Sequence, residues 1–334
     1  ARMADRVAES FREPFDLDGR RQAMAFSMGI ALFPDDGADL QALLRNADLA
    51  LYRAKEYGRN SYRFFTEDLN VQAFERRLLE TSLQRALERD EFLLHYQPVV
   101  EMAGGRVTGF EALLQWRHPE VGLLPPSRFI SVAEASGLIV PLGTRVLRAA
   151  CRQAAAWCSA SPHKPVVTVN ISPRQLADPE IVQQVREAVA GSGLHPELLE
   201  LDVTEEAVMR DPAEAEDTLR ELRKIGVRVA VDDFGTGRSS LALLRRLPVD
   251  ALKIDRALVR DVASSPDAAS IVRAILGLAR SFNLRAAAEG VETTAQRDVL
   301  LGGGCDLAQG YLYAAALSAA DASKALEKGT LGPS

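Results

Sequence analysis

Glu111, Asn170, Asp202, Asp232, Asp233, Lys253, Glu289 and Gln309 are scattered widely through the chain, yet each stands at or near the end of a short β-rich run. Carboxylates gathered without opposite charge repel one another and shift their pKa values, so protons or cations must neutralise them. Oxygen donors from Asp, Glu and Asn, without Cys or His, suit a hard divalent cation (Mg²⁺, Mn²⁺ or Ca²⁺) rather than zinc or copper. His95, His118, His163 and His195 lie far apart and form neither HxxxH nor HExxH spacing. Adjacent Asp232 and Asp233 would point to opposite faces of a regular strand. At a strand end the chain turns, so both can reach one place and one can bridge two metals about 3.5–4 Å apart. Such a pair of cations suits in-line displacement at a phosphodiester. Lys253, beside these anions, would orient the attacking water and balance charge.

Taken singly, each residue has an ordinary use. A strand-end carboxylate often caps the next helix, a lysine often points to solvent, and Asn170 before Ile171-Ser172-Pro173 could start a turn. The joint pattern carries the argument, because so many strand ends offer a group fit for a cation or a phosphate. Asp233-Phe234-Gly235-Thr236-Gly237 adds two glycines to the same region, a loop that can approach a ligand and gate a site.

Residues so far apart need a scaffold that returns every strand end to one rim. Strands are expected at Phe92–Val100, Val107–Leu114, Pro165–Ile171, Leu198–Val203, Val227–Asp232, Ala251–Ile254, Leu284–Ala288 and Asp306–Tyr313, with amphipathic stretches such as Pro212–Lys224 and Ala268–Phe282 between them. Eight β runs alternating with helices over about 240 residues fit one TIM-like (β/α)8 barrel, whose active sites gather at the C-terminal ends of the strands. Upstream, residues 1–13 read as a helix. Met24, Phe26, Met28, Ile30 and Leu32 alternate as a strand, and Leu40 to Tyr57 carries helical spacing with Gly58 as its stop. This α/β piece is too short, at about 65 residues, to be a convincing domain of its own. The charged, glycine-free stretch after it reads as a linking helix. The expected division is 1–67 for the first piece, 68–84 for the linker helix and 85–330 for the barrel.

The chain has 334 residues, 47% hydrophobic and 26% charged, which excludes disorder and fibrous repeats. Its formal charge of −6 removes any diffuse attraction to nucleic acid or anionic lipid, so an anionic ligand needs a local site. Cys151, Cys158 and Cys305 form no CxxC pair and read as core thiols in a reducing compartment. No apolar run reaches the roughly 18 residues of a membrane span, and the start lacks a secretory core. A cytoplasmic location is expected, with any anchor or sensor outside these residues.

The same residues carry a family resemblance. Residues from about 85 to 325 resemble the EAL domain, the bacterial phosphodiesterase module that opens cyclic di-GMP to the linear dinucleotide. The matching motifs are Glu111-Ala112-Leu113-Leu114, Tyr96-Gln97-Pro98, Asn170-Ile171-Ser172, Thr204-Glu205, Asp232-Asp233-Phe234-Gly235-Thr236-Gly237, Lys253-Ile254-Asp255-Arg256, Ala288-Glu289-Gly290-Val291-Glu292-Thr293 and Gln309-Gly310-Tyr311. The resemblance implies an EAL-type barrel with two Mg²⁺ or Mn²⁺ ions, no organic cofactor, cyclic di-GMP as ligand and a homodimer through the barrel. It implies neither DNA binding nor membrane contact. By position, Glu111, Asn170, Asp202, Asp232, Asp233 and Glu289 would be metal ligands. Lys253, Glu289, Glu111 and Asp232 would carry catalysis, and Gln97, Leu114, Gln115 and Gln309 would meet the substrate. Glu205 would anchor the Asp233–Ser239 loop.

Residues 1 to about 66 resemble the C-terminal part of a GGDEF domain, the diguanylate cyclase module. The resemblance rests on Phe26-Ser27-Met28-Gly29-Ile30-Ala31, Asn46-Ala47-Asp48-Leu49-Ala50-Leu51-Tyr52-Arg53-Ala54-Lys55 and Gly58-Arg59-Asn60. The signature loop belongs upstream of this segment. Gly104-Gly105-Arg106 stands elsewhere without the acidic pair, so no cyclase activity is expected of these residues.

Five positions depart from the EAL pattern. Asp202 stands where glutamate is usual, Gln115 where an arginine meets a ligand phosphate, Ala315-Ala316 where a basic residue and proline follow the last motif, and Arg238 where tyrosine is common. Loss of the guanidinium removes a bidentate, charge-assisted contact. The expected function is cyclic di-GMP hydrolysis to linear pGpG by a two-metal mechanism, slowed by these departures. The alternative is a catalytically impaired EAL domain that binds cyclic di-GMP as a receptor, and a scaffold that does not bind it is a third reading.

Overall fold

The computed structural model describes the chain apart from residues 1, 12–14, 18–19, 23–25, 57–60, 236–240 and 333–334, and for residues 2, 16–17, 20–22, 52, 56, 67–76 and 241–242 it describes the backbone alone. Two compact units divide it, Ala1–Ser82 and Leu83–Ser334. In the first, strands Ser27–Ile30 and Ser61–Phe64 pair in parallel, and helix Leu40–Glu56 connects them. Ala50 and Ala54 are fully buried, and helix and strand meet at Gly29, where a methyl group would lie 2.0 Å from the Ala47 carbonyl oxygen. The strand read from Met24 to Leu32 is confined to Ser27–Ile30 among the described residues, and Met24 lies outside them. Strand Ser61–Phe64 gives little sequence signal, being four residues long and half-exposed. Gly58-Arg59-Asn60 lies outside the described residues.

In the second unit eight strands close into a barrel: β1 (Phe92–Glu101), β2 (Val107–His118), β3 (Val166–Ile171), β4 (Leu199–Thr204), β5 (Arg228–Phe234), β6 (Ala251–Ile254), β7 (Arg285–Ala288) and β8 (Leu307–Ala308). β2 to β8 pair in parallel, each with the next, whereas β1 runs antiparallel to both β2 and β8. The cause is the connection after β1. A parallel crossover takes a dozen or more residues, whereas Gly105, at φ +66, turns the chain tightly back with its N–H 2.9 Å from the Glu101 carbonyl oxygen. The alternation of strands and helices is thus interrupted once, at the start of the barrel.

Successive strand residues face opposite ways. Val167, Val169, Ile171, Leu199, Leu201, Val203, Val229, Val231, Leu252 and Ile254 form the buried apolar set packed under the helices. Such side chains contribute about 1.5–3 kcal/mol each on burial. The alternate set, Thr168, Asn170, Glu200, Asp202, Asp232 and Lys253, faces the barrel axis. The turns that follow are closed by capping side chains. Thr204 accepts from the Ala207 N–H, Asp255 from the Ala257 N–H, and Ser172 with Gln175 and Thr293 with Gln296 form capping boxes.

Two strands differ from the expected ones. β8 is Leu307–Ala308 rather than Asp306–Tyr313, because beyond Gln309 the chain bends onto Val291. The Val291 N–H donates to the Gln309 carbonyl at 3.0 Å, and a methyl on Gly310 would sit 2.2 Å from the Val291 carbonyl oxygen. β2 outruns the barrel wall to pair with Gly122–Leu124, so Glu111 lies mid-strand and not near a strand end. It still lines the barrel, since its register partners are Gln97 on β1 and Thr168 on β3.

Cys151 and Cys305 are buried and Cys158 half-buried, all as free thiols. Among the described residues no helix is long and apolar enough to cross a membrane.

Candidate active site

Lys253, on β6, is buried among carboxylates. Its Nζ lies 2.6 Å from Asp202 Oδ2 and 3.6 Å from Glu111 Oε2, and it is in close contact with Glu289 Oε1. Register explains the meeting. Asp202 is level with Asn170 on β3 and Ala230 on β5, and Lys253 and Glu289 come from the adjacent β6 and the end of β7. Glu111 is held from both sides, its Oε1 accepting from Asn170 Nδ2 at 2.6 Å and its Oε2 from Gln309 Nε2 at 2.6 Å. Gln309 Nε2 also donates to Gln97 Oε1 at 2.9 Å, and Gln97 Nε2 donates to the Ala314 carbonyl at 3.1 Å.

Asp232 and Asp233 reach the same place because β5 breaks register there. Its pairing with β6 shifts between Val231 and Phe234, and Asp233 takes a left-handed φ of +53°. A bulge re-aims side chains that a regular strand would send to opposite faces. Carboxylate oxygens of Asp232, Asp233 and Glu289 consequently lie within 4.8 Å of one another. Glu205 is buried on the far side of this turn, its Oε2 accepting from the Gly235 N–H at 3.0 Å. Thr236 to Ser239 and Arg238 lie outside the described residues.

The electrostatics follow from burial and crowding. Burial pushes Asp202 well above the usual carboxylate range, and Asp232, Glu200 and Glu111 add to it against the pull of Lys253. Burial, then Lys253 in opposition, then Asp232 and Glu111 leave Glu289 at about 8. Burial, Asp232 and Asp255 raise Asp233 to about 6. Glu111 goes the other way: burial raises it, but the Lys253 charge and the Asn170 and Gln309 hydrogen bonds outweigh burial. Lys253 is held well above its ordinary value, since four carboxylates outweigh its desolvation.

A hard cation fits this donor set. Asp232, Asp233 and Glu289 supply three convergent oxygens, and Asp202 Oδ1 is a buried acceptor with no hydrogen-bond partner among the described residues. Glu289 also gives a pH signature. Its pKa is raised above the ordinary 4.5, so the folded chain holds a proton that the unfolded chain releases. That contribution to stability is complete below about pH 4.5 and is lost as pH rises through about 8. In chelator, the urea midpoint of the barrel should fall from pH 5 to pH 8 more steeply in the native chain than in Glu289→Gln. Equal slopes would remove Glu289 as the source.

Of the substrate-facing residues expected from sequence, Gln309 and Gln97 join the network, whereas Gln115 makes no hydrogen bond to it. Leu114 points away from Glu111 by strand alternation and lines a cavity of about 300 Å³ with Ile130, Leu142, Val146, Ile171 and Asn170. Three contributors were given no site role by the sequence reading: Asp255 beside Asp233, named there only within the Lys253-Ile254-Asp255-Arg256 match, Glu200 near Asp202, and the Ala314 carbonyl. The two acids were legible in principle, since Asp255 lies two residues from Lys253 and Glu200 two from Asp202. A backbone carbonyl leaves no sequence signal.

Residues 80–316 match the family described as the EAL domain, and residues 1–61 match the diguanylate cyclase, GGDEF domain. An uncharacterized signaling protein of Caulobacter vibrioides is 47% identical over 312 residues, 93% of this chain and 38% of that protein. The cyclic di-GMP phosphodiesterase NbdA of Pseudomonas aeruginosa is 43% identical over 311 residues, 93% of this chain and 40% of that protein. The chain thus spans less than half the length of these curated relatives. Among solved structures, the PaMucR phosphodiesterase in complex with c-di-GMP aligns with a TM-score of 0.71 at 43% identity, over 73% of this chain and 99% of that one.

Proposed function

Because this chain belongs to the EAL domain family, we propose that its barrel hydrolyses cyclic di-GMP to linear pGpG. The observation that carries this reading is the meeting of Glu111, Asp202, Asp232, Asp233 and Glu289 around one buried lysine, a concentration of negative charge that Lys253 alone does not neutralise. Asp232, Asp233 and Glu289, with Glu111, Asn170 and Asp202, would hold two divalent ions, Mg²⁺ or Mn²⁺. When bound, such ions polarise the phosphodiester and make water a stronger acid at neutral pH.

The chain's own groups do the rest. Lys253 Nζ, fixed by its carboxylates, orients the water and balances charge as phosphorus becomes more negative. Glu289, in contact with Lys253 and grouped with Asp232 and Asp233, would help hold the ions at the site, and the water's proton leaves to solvent. The oxygen attacks phosphorus in line, the P–O3′ bond breaks, and the 3′-oxygen leaves as the hydroxyl of pGpG after taking a proton. Asn170 keeps the Glu111 carboxylate turned toward the reacting centre. The cavity beside Leu114 suits one guanine base, since its walls are largely aliphatic and Asn170 at its edge also bonds Glu111. Gln115 lies on the substrate side and offers a neutral amide, which predicts weaker phosphate binding than a guanidinium gives.

Incubating the chain with cyclic di-GMP and Mn²⁺, and separating products by chromatography, tests the proposal. Linear pGpG that disappears on chelation is the expected result. Tight binding of the nucleotide without any linear product would leave the receptor reading in its place.

A further inference from the structure

Two amides in series connect a backbone carbonyl to Glu111. A carboxylate accepts hydrogen bonds and cannot donate, so the face of Gln309 turned to Glu111 Oε2 must be its Nε2. The second N–H of that nitrogen goes to Gln97 Oε1. Gln97 can present its oxygen there only if its own nitrogen faces elsewhere, and the Ala314 carbonyl, another pure acceptor, takes that nitrogen at 3.1 Å. Turning Gln97 over would set its oxygen against the Ala314 carbonyl, and turning Gln309 over would set its oxygen against both Glu111 Oε2 and Gln97 Oε1. The orientation of Gln309 is therefore fixed from a distance, and its Oε1 is left buried with no hydrogen-bond partner among the described residues. Gln97 has spent both ends of its amide inside the molecule.

We infer that Gln97 is a positioning residue rather than a substrate ligand: it locks the Gln309 amide so that Gln309 Oε1 is the acceptor that holds the attacking water. The inference rests on the hydrolase reading above and adds to it a role for β1, the strand that runs against the rest of the barrel. It explains why Gln97 lies level with Glu111 across the β1–β2 pair, where its amide can reach Gln309 beyond the end of β8.

The test uses Gln97→Met, which keeps length but has neither donor nor acceptor, and Gln97→Glu, which keeps an acceptor toward Gln309. Steady-state hydrolysis with Mn²⁺ should show kcat down about tenfold to a hundredfold in Gln97→Met, with KM within about threefold of the native chain, and most of kcat restored in Gln97→Glu. A KM raised tenfold or more at unchanged kcat would make Gln97 a substrate ligand and overturn the inference. A second readout needs no turnover. The Gln309 side-chain amide protons, assigned by their loss in Gln309→Glu, should exchange slowly in the native chain, and one should exchange at least tenfold faster in Gln97→Met. Equal protection in both overturns the lock even if no chain hydrolyses the nucleotide, whereas absent hydrolysis with the protection difference intact refutes the hydrolase reading alone. If Gln97→Met does not fold, Gln97→Glu carries the same measurements, and protection or kcat lost there despite the retained acceptor counts against the lock.

Discussion

Replacing Lys253 by methionine should destabilise the metal-free barrel by about 3–5 kcal/mol, the usual result of removing one partner from a buried ionic cluster. Glu111 would lose the charge that keeps it ionised, and Asp202 and Glu289, already held above the usual carboxylate range by burial, would lose the one cation that favours their charged forms. The side chain of Asp202 is fully buried and that of Lys253 nearly so, which leaves water little access to take over the lysine's role. Urea unfolding in chelator, followed by the fluorescence of Trp116 and Trp157, reports on this unit alone, because both of the chain's tryptophans lie in it. Added Mn²⁺ should return part of the lost stability, since positive charge would again stand among the carboxylates. Turnover should remain down by at least about a hundredfold, because orientation of the water is not restored. A Lys253→Met chain as stable as the native one in chelator would mean that the cluster is not ionised as described.

The second large effect concerns Glu111. Glu111→Ala should lower kcat for cyclic di-GMP by about a thousandfold or more, through loss of a charged oxygen at the reacting centre. Its cost in stability should be smaller than that of Lys253→Met, about 1–3 kcal/mol for the unpaired Asn170 and Gln309 nitrogens, offset by relief of repulsion among the remaining carboxylates. The two variants thus separate stability from catalysis. Parallel losses of both quantities in both variants would argue that the site acts only as structural glue.

Much of this arrangement is legible in the sequence because barrel geometry is periodic. Alternation along Val166–Ile171 and Leu199–Thr204 sends Asn170 and Asp202 to the same side, and the parallel register then makes them neighbours. What the sequence does not show is where regularity fails. The register shift that brings Asp233 beside Asp232 depends on how β5 meets β6, a relation between strands and not a property of either. The antiparallel β1 depends on a tight turn at Gly105, and the extension of β2 past Glu111 on a partner segment with weak strand signal, Gly122–Leu124. The amide relay from Ala314 through Gln97 to Gln309 joins residues that are distant along the chain, one of them acting through its backbone. The family resemblance implied Gln97 and Gln309 as ligand contacts, and only their mutual geometry separates the buried tie from the open acceptor.

Hydrolysis in water enriched in ¹⁸O tests the central claim most directly, because it reports both whether this barrel cleaves the nucleotide and which bond breaks. With Mn²⁺ present, mass spectrometry should find one heavy oxygen per molecule of pGpG, on the terminal 5′-phosphate and none on the 3′-hydroxyl. Cyclic di-GMP recovered intact, or label in the 3′-hydroxyl, would contradict water attack at phosphorus by the groups gathered around Lys253.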